Sequence, residues 1–337
     1  MRARQLDGLR AAAALAVVLI HVSAGRTSAV GILCNQLARF AVPLFIMISG
    51  FGHMSSELRG AGAPHSAAQT AARRLARILP PYLVWSGIYL AVEAVFGRPH
   101  PHPVRDILTG NSYVHLYYMF ILAQLVVLSV PLCRAVMRHP RVTLPVCAAA
   151  TFGMELVLWK LAGGLWQWHF PIAPICLFVS WLLYYAGGAW LAKSGLSAHF
   201  RLRYALPLWC AAAVLVLKAA KRSAAAAGIV LRPDLTVYTL LTWAVLWALA
   251  GRREELPAPV RFIARHSFGL YLSHPLVLRL WNEWTTRQAH VTYLRMWQMF
   301  ALAFIGGLAI SVALSVLPFG KWLGGAENRK NILQRRA

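Results

Sequence analysis

Two ionisable residues, Arg10 and His21, stand eleven positions apart in QLDGLRAAAALAVVLIHVSAG, with only Ala, Leu, Val and Ile between them. On an α-helix eleven residues make three turns plus about 20° and rise about 16–17 Å, so both side chains fall on nearly one face. An imidazole takes and returns protons near neutrality. A guanidinium is a fixed cation whose fork matches phosphate oxygens. One helix face therefore carries a cation at one end and a base at the other. Each residue also has a plainer reading: Arg10 as an interfacial anchor, His21 as a packed, hydrogen-bonded core residue.

Further polar groups lie in apolar surroundings: Glu93, Glu155, His115 in SYVHLYYMF and His274 in SFGLYLSHPL. Ionisable groups at membrane depth normally face a bundle interior or a wet cavity. For Glu93 and Glu155 a structural pairing is at least as reasonable as acid–base work. Pro275 follows His274, so helix geometry is as good a reason for that position as chemistry. Ser49 has no GxSxG frame and reads as a helix-packing serine. His100 and His102 sit in a Pro-rich loop without further ligands at a recognised spacing, so no metal site is expected.

The elements that must hold these groups are membrane helices. Of 337 residues, 59% are hydrophobic and 13% charged, against roughly 25% charged in soluble domains, and the mean hydropathy is +0.56. Apolar windows of about 20 residues match a hydrocarbon core of about 30 Å. Ten fall at about 7–24, 34–54, 76–97, 113–135, 142–160, 172–192, 202–218, 229–250, 262–282 and 294–318. Lipid cannot satisfy open backbone groups, so these windows are helical. Pro43 and Pro174 lie inside windows and can kink or break them. The first run is expected to remain as a spanning helix rather than to be cleaved.

The expected fold class is all-α, a polytopic membrane bundle of about ten transmembrane helices with both termini cytoplasmic. Residues 1–320 form its membrane domain and 321–337 a cytoplasmic tail. Orientation rests on Lys and Arg, roughly twice as many of which fall on the inside under this arrangement. Arg10, Arg73, Arg74, Arg77, Arg261 and Arg265 are among the inside cations; Arg26 and Arg39 are outside. The stretch from Lys218 to Arg232 also falls outside, breaks the bias, and adjoins the seventh and shortest window. The net charge of +24 is thus a topological signal, and no nucleic-acid partner is expected. The five cysteines show no CxxC spacing and read as small buried residues.

The chain resembles the integral membrane acyltransferases of the acyltransferase-3 family. LDGLRAAAALAVVLIHVS is similar to the family's first-helix motif, an Arg and a His separated by ten residues, matched here by Arg10 and His21. QLARFAVPLFIMISGF resembles the second helix and RRLARILPPYLVW the basic entry to the third. SYVHLYYMFILAQLVVLSVPL is similar to a segment centred on His-Leu-Trp-Phe, with Tyr117 and Tyr118 at the aromatic pair, and RHSFGLYLSHPLVL resembles a late helix. Residues of about 142–250 carry no such match.

The resemblance implies a bacterial inner-membrane enzyme that moves an acyl group, acetyl first of all, from cytoplasmic acyl-CoA to a hydroxyl of a surface polysaccharide or its lipid-linked precursor. Acyl-CoA would be a donor substrate rather than a resident cofactor, and polysaccharide-assembly proteins are further partners. His21 would be the general base or, through an acyl-histidine, the nucleophile. Arg10, Arg73, Arg74 and Arg77 would meet the CoA phosphates; His274, His115 and nearby tyrosines are candidates for the oxyanion donor. A small molecule or lipid as acceptor stays open. A polytopic secondary transporter is the main rival by composition, but it predicts two related halves, and no internal repeat is evident.

Overall fold

A computed structural model describes residues 2–60, 66–164, 167–222, 228, 231–287 and 295–324. The expected tail therefore lies largely outside the described residues. These residues form an all-α, largely apolar multi-pass bundle. Its helices are α1 (Arg2–Ser23), α2 (Ala29–Ala38), α3 (Ala41–Leu58), α4 (Ala67–Leu75), α5 (Leu79–Val95), α6 (Pro103–Thr109) and α7 (Tyr117–Val127). There follow α8 (Ser129–Arg138), α9 (Pro140–Ala162), α10 (Leu182–Ser194), α11 (Leu202–Arg222), α12 (Pro233–Gly251), α13 (Ala258–Arg287) and α14 (Met296–Val316).

Seven of the described helical stretches are long and apolar enough to cross a membrane, and an eighth is added if α7 and α8, bent by 60°, are one span. Ten windows were expected; the fourth is the bent α7–α8 pair, and two more depart from a simple apolar span. The ninth is the 30-residue α13, about 45 Å long at 1.5 Å per residue but carrying Arg261, Arg265, Arg279 and Glu283. The sixth is not one helix. Residues 174–181 form two short 3-10 turns, and helix begins only at Leu182. The seventh window, read as the shortest, is a 21-residue helix, α11.

Prolines account for the breaks. A proline ring clashes with the carbonyl four residues before it, and α7 ends at Val127, four residues before Pro131. Pro43 falls in the first turn of α3, where an absent N–H is tolerated. Pro174 opens the 3-10 stretch, whose backbone groups are met by Gln124 of α7 and by side chains within the stretch itself. Gln124 Nε2 donates to Cys176 O at 2.8 Å and its Oε1 accepts from Phe178 N at 3.2 Å. Ser180 Oγ donates to Pro174 O at 2.7 Å and Trp181 Nε1 to Ile175 O at 2.8 Å.

The first helix is the axis of the bundle. It packs on α2, α3, α12, α13 and α14, and its alanines, among them the buried Ala13 and Ala14, let those neighbours approach closely. Helices α3 and α10 pack backbone to backbone. A Cβ at Gly50 would stand 2.1 Å from Tyr185 O, and one at Gly188 2.0 Å from Met47 O. Any side chain at either glycine would force the two backbones apart.

Candidate active site

Three histidines from three helical regions meet at the far end of α1. His21 comes from its last turn, His115 from just before α7, and His274 from the middle of α13, which continues through Pro275. Ring centroids lie 5.1 Å apart for His21 and His274, 5.8 Å for His115 and His274, and 6.2 Å for His21 and His115. His115 and His274 are buried, whereas His21 is partly exposed and lines a cavity.

Backbone carbonyls of α13 fix the two buried rings. His274 Nδ1 donates to Leu270 O at 2.9 Å, and His115 Nε2 donates to Leu272 O at 3.3 Å. The other nitrogens, His274 Nε2 and His115 Nδ1, are buried without a partner among the described residues. A neutral imidazole with one nitrogen committed as donor presents a lone pair at the other. Either ring offers an acceptor as it stands and becomes a donor there only after taking a proton. Tyr89 also donates to Leu272 O, at 2.7 Å, and Tyr271 donates to His115 O.

Two cavities approach this cluster along α1. One, of about 820 Å³, contains His21 with Arg26, Asn35, Arg39, Val42, Tyr117 and Lys221 on its wall. The other, of about 300 Å³, lies toward the start of α1 and is lined by Arg10, Ser49, His53, Tyr118, Ser267 and Tyr271. Tyr271, 2% exposed, lines both cavities. Beside the smaller cavity, and sharing Arg10 and Ser267 with it, is an outer vestibule of about 520 Å³ that adds Asp7, Arg261 and Arg265.

The expected donor-side arginines separate in space. Arg10 is half-buried, pairs with Asp7 at 2.9 Å and borders both the smaller cavity and the vestibule. Arg74 is held between Ser129 Oγ at 2.7 Å and Glu57 Oε1 at 3.1 Å. Arg73 and Arg77 are exposed and line none of these three spaces. Arg261 and Arg265 stand next to Arg10 instead; charge counting put them on the same side without showing their proximity.

His53 was also missed. Its Nδ1 lies 2.5 Å from Tyr185 OH and it lines the Arg10 cavity. The available signal was its place four residues after Ser49, on the same helix face. Ser49 Oγ donates to Phe45 O at 3.0 Å, the bond of a packing serine.

The remaining polar groups have structural partners. Glu93 accepts from Arg279 at 2.6 and 3.2 Å, and Arg279 also donates to Glu283 at 2.8 Å. Glu155 Oε1 accepts from Thr236 at 2.7 Å. His100 Nδ1 lies 2.6 Å from Asp106 Oδ2. Among the described residues no group of three or more His, Cys, Asp or Glu side chains is arranged to hold a metal ion.

A family model described as an acyltransferase domain matches residues 4–318. No curated protein and no solved structure gives a significant match. With nearly the whole membrane bundle inside the matched range, the chain belongs to this acyltransferase family.

Proposed function

We propose that this member of the acyltransferase family transfers an acyl group, acetyl in the simplest case, from cytoplasmic acyl-CoA to a hydroxyl of a surface polysaccharide or its lipid-linked precursor, with His21 as general base. The chain would cross a bacterial inner membrane ten times, with both ends in the cytoplasm and residues 1–320 as one domain. The observation that carries this reading is the pair of cavities at opposite ends of α1, both bordered by Tyr271, with His21 in one and Arg10 in the other.

The donor side follows from charge and shape. CoA is a polyanion on a long, narrow thioester arm. The vestibule of Arg10, Arg261 and Arg265 suits its phosphates, and the slimmer cavity beneath, past His53 and Tyr118, suits the arm. Of the arginines expected to bind donor, Arg10 has the direct role; Arg74 is tied to Ser129 and Glu57, and Arg73 and Arg77 contribute to the long-range field.

At the junction, a ring nitrogen of His21 takes the proton of the acceptor hydroxyl as its oxygen bonds to the thioester carbonyl carbon. The carbonyl electrons collect on the oxygen of the tetrahedral intermediate. Their return breaks the C–S bond, and the departing thiolate takes the proton from His21, leaving an ester and free CoA. A neutral His274 or His115 can accept a hydrogen bond from the incoming hydroxyl, and either can support the oxyanion only when protonated.

The test is mass spectrometry of cell-surface glycan O-acylation with and without the gene, complemented by wild type and by His21→Ala. Restored acylation by wild type alone is expected. Equal restoration by His21→Ala would overturn the role of His21.

A further inference from the structure

A separate pocket of about 560 Å³ shares no described lining residue with the two cavities or the vestibule. Its wall is built from the start of α1, the 3-10 turn Leu196–His199, the entry to α11 and the end of α12. In the proposed topology all of these face the cytoplasm. Gln5, on its wall, stands sixteen residues before His21 in α1, a rise of about 24 Å. The pocket is remote from the histidine cluster.

The charged groups on this wall are cations. Arg201 and Arg203 flank Leu202, where the amide end of α11 opens. Arg252 follows the carbonyl end of α12, whose partial negative charge it offsets. No Asp or Glu is among the described lining residues. Gln5 lies over Gly251, where a Cβ would stand 3.2 Å from its Nε2. The wall also carries an unmet donor. Trp243 and Trp247 stack with centroids 5.6 Å apart, and Trp243 Nε1 donates to Ser197 Oγ at 3.4 Å. Trp247 lines the pocket and is 4% exposed, yet its Nε1 has no partner among the described residues. A buried indole N–H normally finds an acceptor. An anionic oxygen provides one and also suits the guanidinium forks.

The surroundings decide which anion. Tyr204, Leu206 and Leu208 of α11 are exposed, as lipid-facing residues of a span are, and Phe200 and Leu202 line the pocket beside them. Basic pockets between helices on the cytoplasmic side suit lipid headgroups. We infer that this pocket binds the phosphodiester headgroup of an anionic phospholipid, with Arg201, Arg203 and Arg252 around the phosphate, Trp247 and Gln5 as further donors, and the acyl chains along α11. The site is distinct from those of donor and acceptor, and only its place in the cytoplasmic leaflet rests on the proposed topology.

The test is native mass spectrometry of the full-length protein released from nanodiscs of phosphatidylglycerol and phosphatidylcholine in equal parts. Retained phosphatidylglycerol is expected to exceed phosphatidylcholine by at least about tenfold, the worth of one charge-assisted contact. Arg201→Gln/Arg252→Gln, at two exposed positions, should remove most of that excess. Trp247→Phe keeps a ring and loses the N–H, and should reduce the excess by a smaller factor; its Tm is read alongside because the side chain is buried. Arg138→Gln/Arg141→Gln, exposed cations at another helix end, should leave the excess in place.

Equal retention of the two lipids by the wild type overturns the inference. So does an equal loss in Arg138→Gln/Arg141→Gln, which would make the preference a general effect of surface charge. An unchanged excess in Trp247→Phe at unchanged Tm overturns it as well, since the unmet indole N–H marks the site. Displacement of the lipid by excess inorganic phosphate would give the pocket to a soluble anion, and loss of CoA binding in Arg201→Gln/Arg252→Gln would give it to the donor; either result also overturns the inference. Normal O-acylation by His21→Ala would remove the proposed function and leave the lipid site standing.

Discussion

The two ends of α1 hold their arginines differently. At the Arg10 end three cations have a carboxylate beside them: Asp7 for Arg10, Glu57 for Arg74 and Glu255 for Arg261. Arg10 and Asp7 are 41% and 39% exposed in their side chains, so water screens that pair. At the His21 end, Arg39 is half-buried and steered by the amide of Asn35. In the proposed reaction, hydrated and balanced cations suit a soluble polyanionic donor that binds and leaves at each turnover, while the largely apolar wall of the His21 cavity suits the acceptor. The two cavities share Tyr271.

The sharpest way to break this division is His21→Ala. Acyl transfer should fall by about 10²–10⁴-fold, the range for removal of a general base, while CoA binding at the other end stays intact; calorimetry with CoA and a transfer assay separate the two. Glu93→Gln, remote from both cavities, should act on neither selectively. It leaves the buried Arg279 facing only Glu283, and loss of a buried pair partner destabilises by about 3–5 kcal/mol, visible as a lower Tm with both ligands affected alike.

Arg10→Gln should raise the KM for acyl-CoA by about tenfold, the worth of one charge-assisted bond, with little change in the KM for acceptor. The reverse split would exchange the roles of the two cavities. The smallest effect is that of salt. Raising ionic strength from about 0.1 M to 1 M shortens the Debye length from about 10 Å to 3 Å, so donor affinity at the exposed vestibule should drop several-fold, and acceptor affinity at the largely apolar His21 cavity less. Equal sensitivity in paired titrations would mean that the two ends are equally hydrated.

The parts of this site legible in the sequence are those written within one helix. Arg10 and His21 share a face because eleven residues close three turns, and that relation needs no tertiary information. His115 and His274 stood out as ionisable groups in apolar windows, but their meeting with His21 depends on how α7 and α13 pack on α1. Counting charges assigned Arg261, Arg265, Arg73 and Arg77 to one side and could not say which of them adjoin Arg10. The same count marked Lys218 to Arg232 as anomalous without revealing that α11 brings Lys221 to the cavity. Hydropathy read 172–192 as a span because its residues are apolar. The α-helix begins there only at Leu182, and Gln124, some fifty positions earlier, satisfies backbone groups of the 3-10 stretch that precedes it.

That clasp by Gln124 has a consequence for how the chain enters the membrane. Residues 174–181 have open carbonyls and amides whose partners come partly from another helix, so in lipid alone the segment carries unmet polar groups, each worth several kcal/mol. It is not an autonomous insertion unit. In a bilayer its stability therefore depends on docking against α7, whose Gln124 satisfies Cys176 O and Phe178 N.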